Sequence, residues 1–187
     1  MISTADFKNG MTIILDGKLV DIVEFQHVKP GKGGAFVRTK LKGLETGNVL
    51  DKTFRAGEKF ERAILDDKKM EYLYSADGLY YFMDNTTFEQ EPLSEEQLGD
   101  AREYLKENTE ITVTTHNGAV VGVALPTFIE LEVKETDPGF KGDTATGGNK
   151  PAKVETGKTV QVPLFINIGD VIKIDTRTGE YMERVNK

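Results

Sequence analysis

The sequence predicts an all-β fold made of three small β-barrels in series. Short segments alternate between apolar and polar residues, most clearly at residues 36–41, which is typical of strands with one buried face. The strand pattern restarts after Ile64 and again after Pro126, so we expect domains at residues 1–64, 65–127 and 128–187. The 187 residues are enough to bury a sizeable core.

Composition narrows the class of protein. The chain contains no cysteine, which excludes disulfides, thiolate metal sites and cysteine nucleophiles. No apolar run approaches the length of a membrane-spanning helix, and the first residues lack a charged-then-apolar signal pattern. We therefore expect a soluble, cytoplasmic protein that has no membrane partner.

Charge is distributed unevenly along the chain, whose net charge is −7. Residues 1–64 carry 11 Lys and Arg against 8 Asp and Glu, residues 65–127 carry 4 against 13, and residues 128–187 carry 9 against 10. Such a chain can present a basic end to RNA while its acidic middle avoids RNA or meets basic protein. Segments of this size also differ by several charges by chance, so both interpretations stay open.

The first segment reads as a small SH3-like barrel, because it holds five short strands in 64 residues. Asp16-Gly17 predicts a tight hairpin turn between the first two strands. Arg38, Lys40 and Lys42 alternate along one strand and share a face, as a basic stripe or as an ordinary solvated strand face. The predicted strands are residues 11–16, 19–26, 35–42, 48–54 and 59–64.

A glycine-rich hairpin loop with one lysine near its apex lies between the second and third of these strands. Pro30 fixes its own φ, while Gly31, Gly33 and Gly34 lack a Cβ and can adopt positive φ. The loop is therefore thin, and Lys32 is a long cation with three donors that can enter a narrow cleft. The loop either serves to present Lys32 to a partner or is an ordinary turn with a solvated lysine.

The second segment begins with an aromatic-rich hairpin that turns at Ala76-Asp77-Gly78. Its aromatic side chains either stack on nucleic-acid bases or pack across the strands and into a core. These aromatic residues are Tyr72, Tyr74, Tyr80, Tyr81 and Phe82.

A helix and a second hairpin follow. Ser94-Glu95-Glu96-Gln97 matches a capping box and predicts a helix over residues 94–106, with an apolar face that includes Leu98 and Tyr104. Asn117-Gly118 predicts a hairpin turn. Strands, one helix and further strands form the order of an oligonucleotide-binding (OB) barrel, a fold that by itself establishes no function.

The third segment restarts with an alternating strand at residues 128–133, and a further barrel fills the rest of the chain. A long polar loop, residues 137–151, separates its first two strands. Loops of this length inside compact domains are usually functional or disordered.

The sequence shows none of the residue patterns of an enzyme active site, so we expect no catalytic residue, no metal site and no cofactor. His27 and His116 are far apart and belong to no ligand motif. Neither glycine-rich loop fits a nucleotide-binding pattern, and no nucleophile motif is present.

Three stretches together resemble the bacterial elongation factor P family, and the match spans the whole chain. The first is the lysine hairpin, the second flanks the long polar loop, and the third is a C-terminal signature. Because the three occur in order and at the family's spacing, they are specific together. The matching residues are Lys29-Pro30-Gly31-Lys32-Gly33, then Thr136-Asp137-Pro138-Gly139 with Lys141-Gly142-Asp143-Thr144, then Lys150-Pro151-Ala152, Gly157, Val160, Val162-Pro163, Ile166, Gly169, Gly179-Glu180-Tyr181 and Arg184.

The resemblance implies an SH3-like (KOW-like) domain and two OB domains in an L shape like that of tRNA. It implies a monomer that binds the ribosome, through rRNA and ribosomal proteins, beside the P-site peptidyl-tRNA and promotes peptide bonds between consecutive prolines. Lys32, often modified by a dedicated enzyme, would reach the peptidyl-transferase centre, flanked by Pro30, Gly31, Gly33 and Gly34.

The same resemblance assigns two further regions. Gly142, Asp143 and Thr144 would approach the E-site mRNA, and Tyr181 and Arg184 would lie near the P-site tRNA. Two alternatives stay open: an elongation factor P-like paralogue that serves other stalls, and an RNA-binding module with no effect on the rate of translation.

Overall fold

The computed structural model describes residues 1–139 and 147–185, which form three antiparallel sheets and very little helix. Each sheet lies within one of the three predicted ranges. No helix among these residues is long and apolar enough to span a membrane.

The first sheet has six strands in the order β1-β6-β2-β3-β4-β5. Alternate side chains from five of the strands, with Phe7, form its buried core. The five predicted strands are confirmed, and β1, which pairs with β6, escaped prediction because it has only two residues. The strands are β1 Ile2–Ser3, β2 Thr12–Leu15, β3 Lys18–Val28, β4 Phe36–Gly43, β5 Val49–Arg55 and β6 Lys59–Arg62.

Three of the predicted hairpin turns have the same local geometry. Both residues of Asp16-Gly17, of Asp77-Gly78 and of Asn117-Gly118 have positive φ. Two successive positive φ values define the type I′ turn, whose twist matches that of the strands it joins. These turns are confirmed because their residue types tolerate the left-handed region.

The second sheet has five strands in the order β11-β10-β7-β8-β9. Its buried apolar residues include Met70, Phe82, Ile111 and Val113. The strands are β7 Asp66–Ala76, β8 Leu79–Asp84, β9 Gln90–Ser94, β10 Glu110–His116 and β11 Ala119–Ala124.

The predicted helix over residues 94–106 begins as expected but is wrong in length. The capping box is present, because Gln97 N donates to Ser94 Oγ over 3.2 Å and Ser94 N donates to Gln97 Oε1 over 2.9 Å. The α-helix α1, Glu95–Leu98, ends at Gly99, whose φ of +53° is not helical. A 3₁₀ helix, Gly99–Tyr104, follows and places Tyr104 in the core of the third sheet.

The third sheet has five strands in the order β14-β13-β12-β15-β16. Its central strand β12 pairs with β15 through its first half and with β13 through its second half, so the sheet folds around a shared core. The strands are β12 Phe128–Thr136, β13 Asn149–Val154, β14 Thr159–Pro163, β15 Val171–Asp175 and β16 Glu180–Arg184.

By backbone contacts the chain divides into two compact units. One unit combines Met1–Asp67 with Thr114–Gly122, and the other combines Lys68–Val113 with the chain from Val123 onward. Tyr104 helps to explain why the second unit combines these two ranges, because it packs into the same core as residues of the third sheet. The domain boundaries near residues 64 and 127 stay predictions.

Candidate functional site

Lys32 lies at the apex of the loop between the two longest strands of the first sheet. The last pair of β3 and β4 is Val28 with Phe36, and every residue from Lys29 to Gly34 is exposed. Lys32 makes no ion pair or hydrogen bond with any other residue that the structure describes. Its amine is therefore available to accept a covalent modification or to donate to an external acceptor.

The backbone of the loop uses its glycines in two different ways. Only Gly33 adopts a positive φ, of +106°, whereas Gly31 and Gly34 do not. A Cβ added to Gly31 or Gly34 would meet no atom within 4 Å. Gly33 thus supplies the reversal of the chain, while Gly31 and Gly34 keep the loop narrow.

The base of the loop is anchored on the barrel. Phe36 pairs with Arg55 on β5, and Ala56 N donates to Ala35 O over 3.0 Å. The next residue, Val37, is completely buried in the first core. The thin exposed tip is therefore attached at its base to the paired strands and the buried core of the barrel.

Arg38, Lys40 and Lys42 share one exposed face of β4, as predicted, but acidic residues lie on the same face. All three cations are exposed and alternate with the buried residues of β4. Lys40 lies 3.9 Å from Glu24, and Asp21 is paired opposite Lys42. An uninterrupted basic stripe is therefore absent from this face, where these carboxylates offset two of the three cations.

Arg38, the cation nearest the tip, has a different environment. Its cross-strand partners are Gln26 and Thr53, neither of which carries charge. Its guanidinium carbon lies 5.6 Å from the centroid of the Phe36 ring, within cation–π range. Arg38 is therefore the member of the stripe best placed to attract an anion beside the tip.

Most aromatic residues of the second sheet are explained by packing. Tyr72 contacts Phe82 and Tyr80 at centroid distances of 5.4 Å and 6.2 Å, and Phe82 is fully buried. Tyr74 and Tyr81 stack on each other at 4.8 Å, with Tyr74 48% exposed. The packing alternative is thus confirmed for this hairpin.

Gly142, Asp143 and Thr144 lie outside the described residues, but both ends of their loop are anchored. The buried Lys150 donates through Nζ to the carbonyl oxygen of Asp137. A Cβ at Gly139 would collide with the backbone of Leu164. Sequence reasoning identified Lys150 and Gly139 only as signature residues; the structure shows what each one contacts.

Tyr181 and Arg184 lie on the same side of β16 because the strand contains a bulge. Tyr181 pairs with Ile174 and Arg184 pairs with Ile172, whereas Met182 is left without a partner between them. Ile172 and Ile174 are two residues apart and share a face. Strict alternation would have placed Tyr181 and Arg184 on opposite faces.

The hairpin that carries Tyr181 is held by an ion pair at its turn. Arg177 donates to both carboxylate oxygens of Asp175, over 3.1 Å and 2.7 Å, and its backbone N donates over 2.9 Å. These bonds from the side chain and then the backbone of Arg177 lower the pKa of Asp175. The charged form of Asp175 therefore stabilises this turn.

No group of three or more His, Asp or Glu side chains is placed to hold a metal ion in residues 1–139 and 147–185. The candidate site therefore consists of the exposed Lys32 and of the charged residues beside it on β4.

The chain matches three domain families in succession. They are the elongation factor P KOW-like domain over residues 3–60, the elongation factor P OB domain over residues 65–123 and the elongation factor P C-terminal domain over residues 129–184. It is 60% identical over 185 residues to elongation factor P of Natranaerobius thermophilus, covering 99% of this chain and 98% of that protein. It is 59% identical to elongation factor P of Acetivibrio thermocellus, covering 99% and 100%.

The chain belongs to the elongation factor P family. The family is one of translation factors, and the three-barrel series predicted from the sequence is confirmed by its KOW-like and OB domains.

Solved structures resemble part of this elongation factor P family member. The structure described as eukaryotic translation initiation factor 5A from Methanococcus jannaschii matches with a TM-score of 0.51 and 25% identity, covering 65% of this chain and 92% of that chain. A translation initiation factor 5A family protein from Naegleria fowleri matches with a TM-score of 0.50 and 14% identity, covering 66% and 96%, which shows a shared fold alone.

Proposed function

We propose that this elongation factor binds the ribosome beside the P-site peptidyl-tRNA and speeds peptide-bond formation where consecutive prolines stall synthesis. The tip lysine, Lys32, reaches the reacting groups and holds the peptidyl-tRNA in a productive geometry. The factor contributes position and charge, and no acid, base or nucleophile of its own.

The observation that carries this proposal is the exposed, unpaired Lys32 at the tip of a narrow loop whose base pairs with the strands of the first sheet. A side chain that stabilised the protein would contact other groups, and within the described chain Lys32 contacts none through ion pairs or hydrogen bonds. Three of the six exposed residues from Lys29 to Gly34 are glycine, so the tip can enter a cleft lined by RNA.

The chemistry of proline explains why positioning is sufficient. Proline is a hindered secondary amine and a rigid, poorly oriented acyl donor. A factor that restricts the peptidyl-tRNA to reactive geometries lowers the entropic part of the barrier, and each tenfold gain in rate needs only about 1.4 kcal/mol.

Two regions of the third domain complete the proposed footprint. The exposed Arg184 and the accessible part of Tyr181, which is half-buried against the third core, face the P-site tRNA. Gly142, Asp143 and Thr144 approach the E-site mRNA. This assignment follows the family resemblance and the exposure of Arg184.

The remaining partners follow from the same proposal. The acidic second segment, with 13 Asp and Glu against 4 Lys and Arg, suits basic ribosomal protein better than RNA. The free amine of Lys32 suits a lysine-modifying enzyme. The factor works as a cytoplasmic monomer.

The proposal is tested by synthesis of a reporter with a proline run in a purified translation system, beside a reporter in which alanines replace the prolines. We expect the protein from its native host to accelerate only the proline reporter. Lys29→Ala is a matched control for Lys32→Ala, because both lysines are exposed in the same loop.

The outcomes separate the alternatives. Ribosome binding without faster proline synthesis would identify an RNA-binding module, and stimulation confined to other stall sequences would identify the paralogue. Equal activity of Lys32→Ala and wild type would contradict the role of the tip.

A further inference from the structure

Phe165 is an exposed aromatic residue whose ring makes a cation–π contact with Arg184. Phe165 is 57% exposed and lies in the segment between β14 and β15. The guanidinium carbon of Arg184 is 5.4 Å from the centroid of its ring. A guanidinium at this distance is attracted by the negative face of the ring.

A carboxylate also holds the same guanidinium. Nη1 of Arg184 lies 3.8 Å from Oδ2 of Asp170. That oxygen accepts the backbone N–H of Asn167 over 2.8 Å, so the carboxylate is itself fixed by its own turn. The ring and the carboxylate together restrict a side chain that would otherwise sample many rotamers.

The backbone that carries Phe165 and Asp170 is locked to the core of the third sheet. Ile166 is completely buried beside Phe165. Gly169 N donates to Val133 O, and Val133 N donates to Asp170 O, each over 2.8 Å. Phe165 is therefore exposed on a fixed backbone rather than on a loose loop.

We propose that Phe165 is a positioning residue that holds the Arg184 guanidinium ready to bind a nucleic-acid phosphate. This inference rests on the proposed function, in which Arg184 lies near the P-site tRNA. A guanidinium has five N–H donors, and one carboxylate at 3.8 Å leaves most of them free for phosphate oxygens. Because these two contacts limit the rotamers open to the Arg184 side chain, binding loses less conformational entropy.

Phosphate is favoured over an apolar protein partner because a cation is stacked against the exposed ring. A partner that buried Phe165 by apolar contact would also have to desolvate the Arg184 guanidinium, which is costly. An anionic partner gains from the cation directly.

The third domain contains a matched control pair. Phe128 is 43% exposed, and Nζ of Lys173 lies 5.3 Å from its ring centroid. Phe128→Ala removes an exposed aromatic with a stacked cation, as Phe165→Ala does, but leaves Arg184 untouched.

The experiment measures the affinity of the full chain for ribosomes with tRNA in the P site and for vacant ribosomes, across a range of salt concentrations. We expect Phe165→Ala to weaken binding to the tRNA-bearing ribosomes about three- to fivefold and to reduce its salt dependence, as Arg184→Ala does. Phe165→Tyr, which keeps the ring, should bind like wild type, and so should Phe128→Ala.

A double-mutant cycle decides whether Phe165 acts through Arg184. In the Arg184→Ala background, Phe165→Ala should have no further effect. A persistent, salt-independent loss there would indicate an apolar protein contact and overturn the inference. Thermal melts of each variant establish that the exposed substitutions leave the fold intact.

Failure of the inference and failure of the proposed function look different. If wild type binds tRNA-bearing and vacant ribosomes equally, the proposed function is wrong. If wild type prefers tRNA and Arg184→Ala removes that preference while Phe165→Ala does not, only the inference is wrong.

Discussion

The ammonium nitrogen of Lys158 lies 5.0 Å from the ring centroid of Tyr104 and 2.7 Å from a carboxylate oxygen of Glu103. Tyr104 ends the 3₁₀ helix of the second segment, is 4% exposed, and packs in one core with residues of the third sheet. The hydrogen bond that Lys158 donates to Glu103 is the main cause of the raised pKa of Lys158. The aromatic ring and the ion pair therefore join these two segments within one compact unit.

Tyr104→Ala should lower the free energy of unfolding by about 3–5 kcal/mol, because it leaves a cavity the size of an aromatic ring in a buried core. Urea unfolding followed by circular dichroism measures the loss. Tyr74→Ala is the control, since Tyr74 is 48% exposed and should cost only about 1 kcal/mol. Equal losses for the two variants would contradict the structural role of Tyr104.

Lys32→Ala should leave the free energy of unfolding within about 0.5 kcal/mol of wild type, as exposed substitutions usually do. Rescue of proline stalls should nevertheless fall steeply, whereas ribosome binding falls only partly. Lys32→Arg keeps the charge, and we expect it to lose as much rescue activity as alanine if a lysine-specific modification is needed. The variants are produced in the native host, their stability is measured by thermal melts, and their rescue activity is measured with the proline reporter. Unfolding of the first barrel by Lys32→Ala would refute the assignment of Lys32 as the functional tip.

Gly33→Ala should disturb the tip more than Gly34→Ala does. Gly33 has a φ of +106°, which an L-residue adopts at a cost of about 1–2 kcal/mol, whereas a Cβ at Gly34 meets open space without positive φ. We expect a small drop in melting temperature and altered amide resonances around Lys32 for Gly33→Ala alone. Identical spectra and melts for both variants would show that Gly33 does not direct the tip.

Asp175→Asn should destabilise the protein at neutral pH but not in acid. Hydrogen bonds from Arg177 lower the folded-state pKa of Asp175, so its contribution is present above the unfolded pKa of about 3.9 and is lost as pH falls through the folded pKa. The stability difference between wild type and variant should therefore narrow below about pH 4. Melts at stepped pH values test this, with the exposed Asp100→Asn as control. A difference that stayed constant down to strong acid would exclude the ion pair as its source.

The sequence predicted the parts of the fold that depend on a few adjacent residues. The turns at Asp16-Gly17 and Asn117-Gly118 formed as expected because these residue pairs tolerate two positive φ values. The cap of α1 formed because Ser94 and Gln97 satisfy each other's backbone N–H groups. The exposure of Lys32 followed from its glycine neighbours in the same way.

The sequence did not predict where charges and rings from distant strands meet. Arg38, Lys40 and Lys42 alternate in the sequence, but only the pairing of β4 with its neighbouring strands showed that carboxylates face two of them. Phe165 was not singled out at all, because the signal that would have found it is its proximity to Arg184, nineteen positions later in the chain.

By itself, then, the sequence determined the all-β class, most of the strands, the hairpin turns and the family, since alternation, turn chemistry and motif spacing are readable along the chain. It missed β1 and β9, and it assigned the first three residues of β13 to the polar loop of residues 137–151. Only the tertiary structure decided that α1 stops after one turn, that Tyr104 enters the core of the third sheet, and that the bulge at Met182 places Tyr181 and Arg184 on one face. These features depend on contacts between residues that are far apart in sequence. The free energy of such contacts outweighs the local preference of a residue for helix or strand, which is only about a few tenths of a kcal/mol per residue.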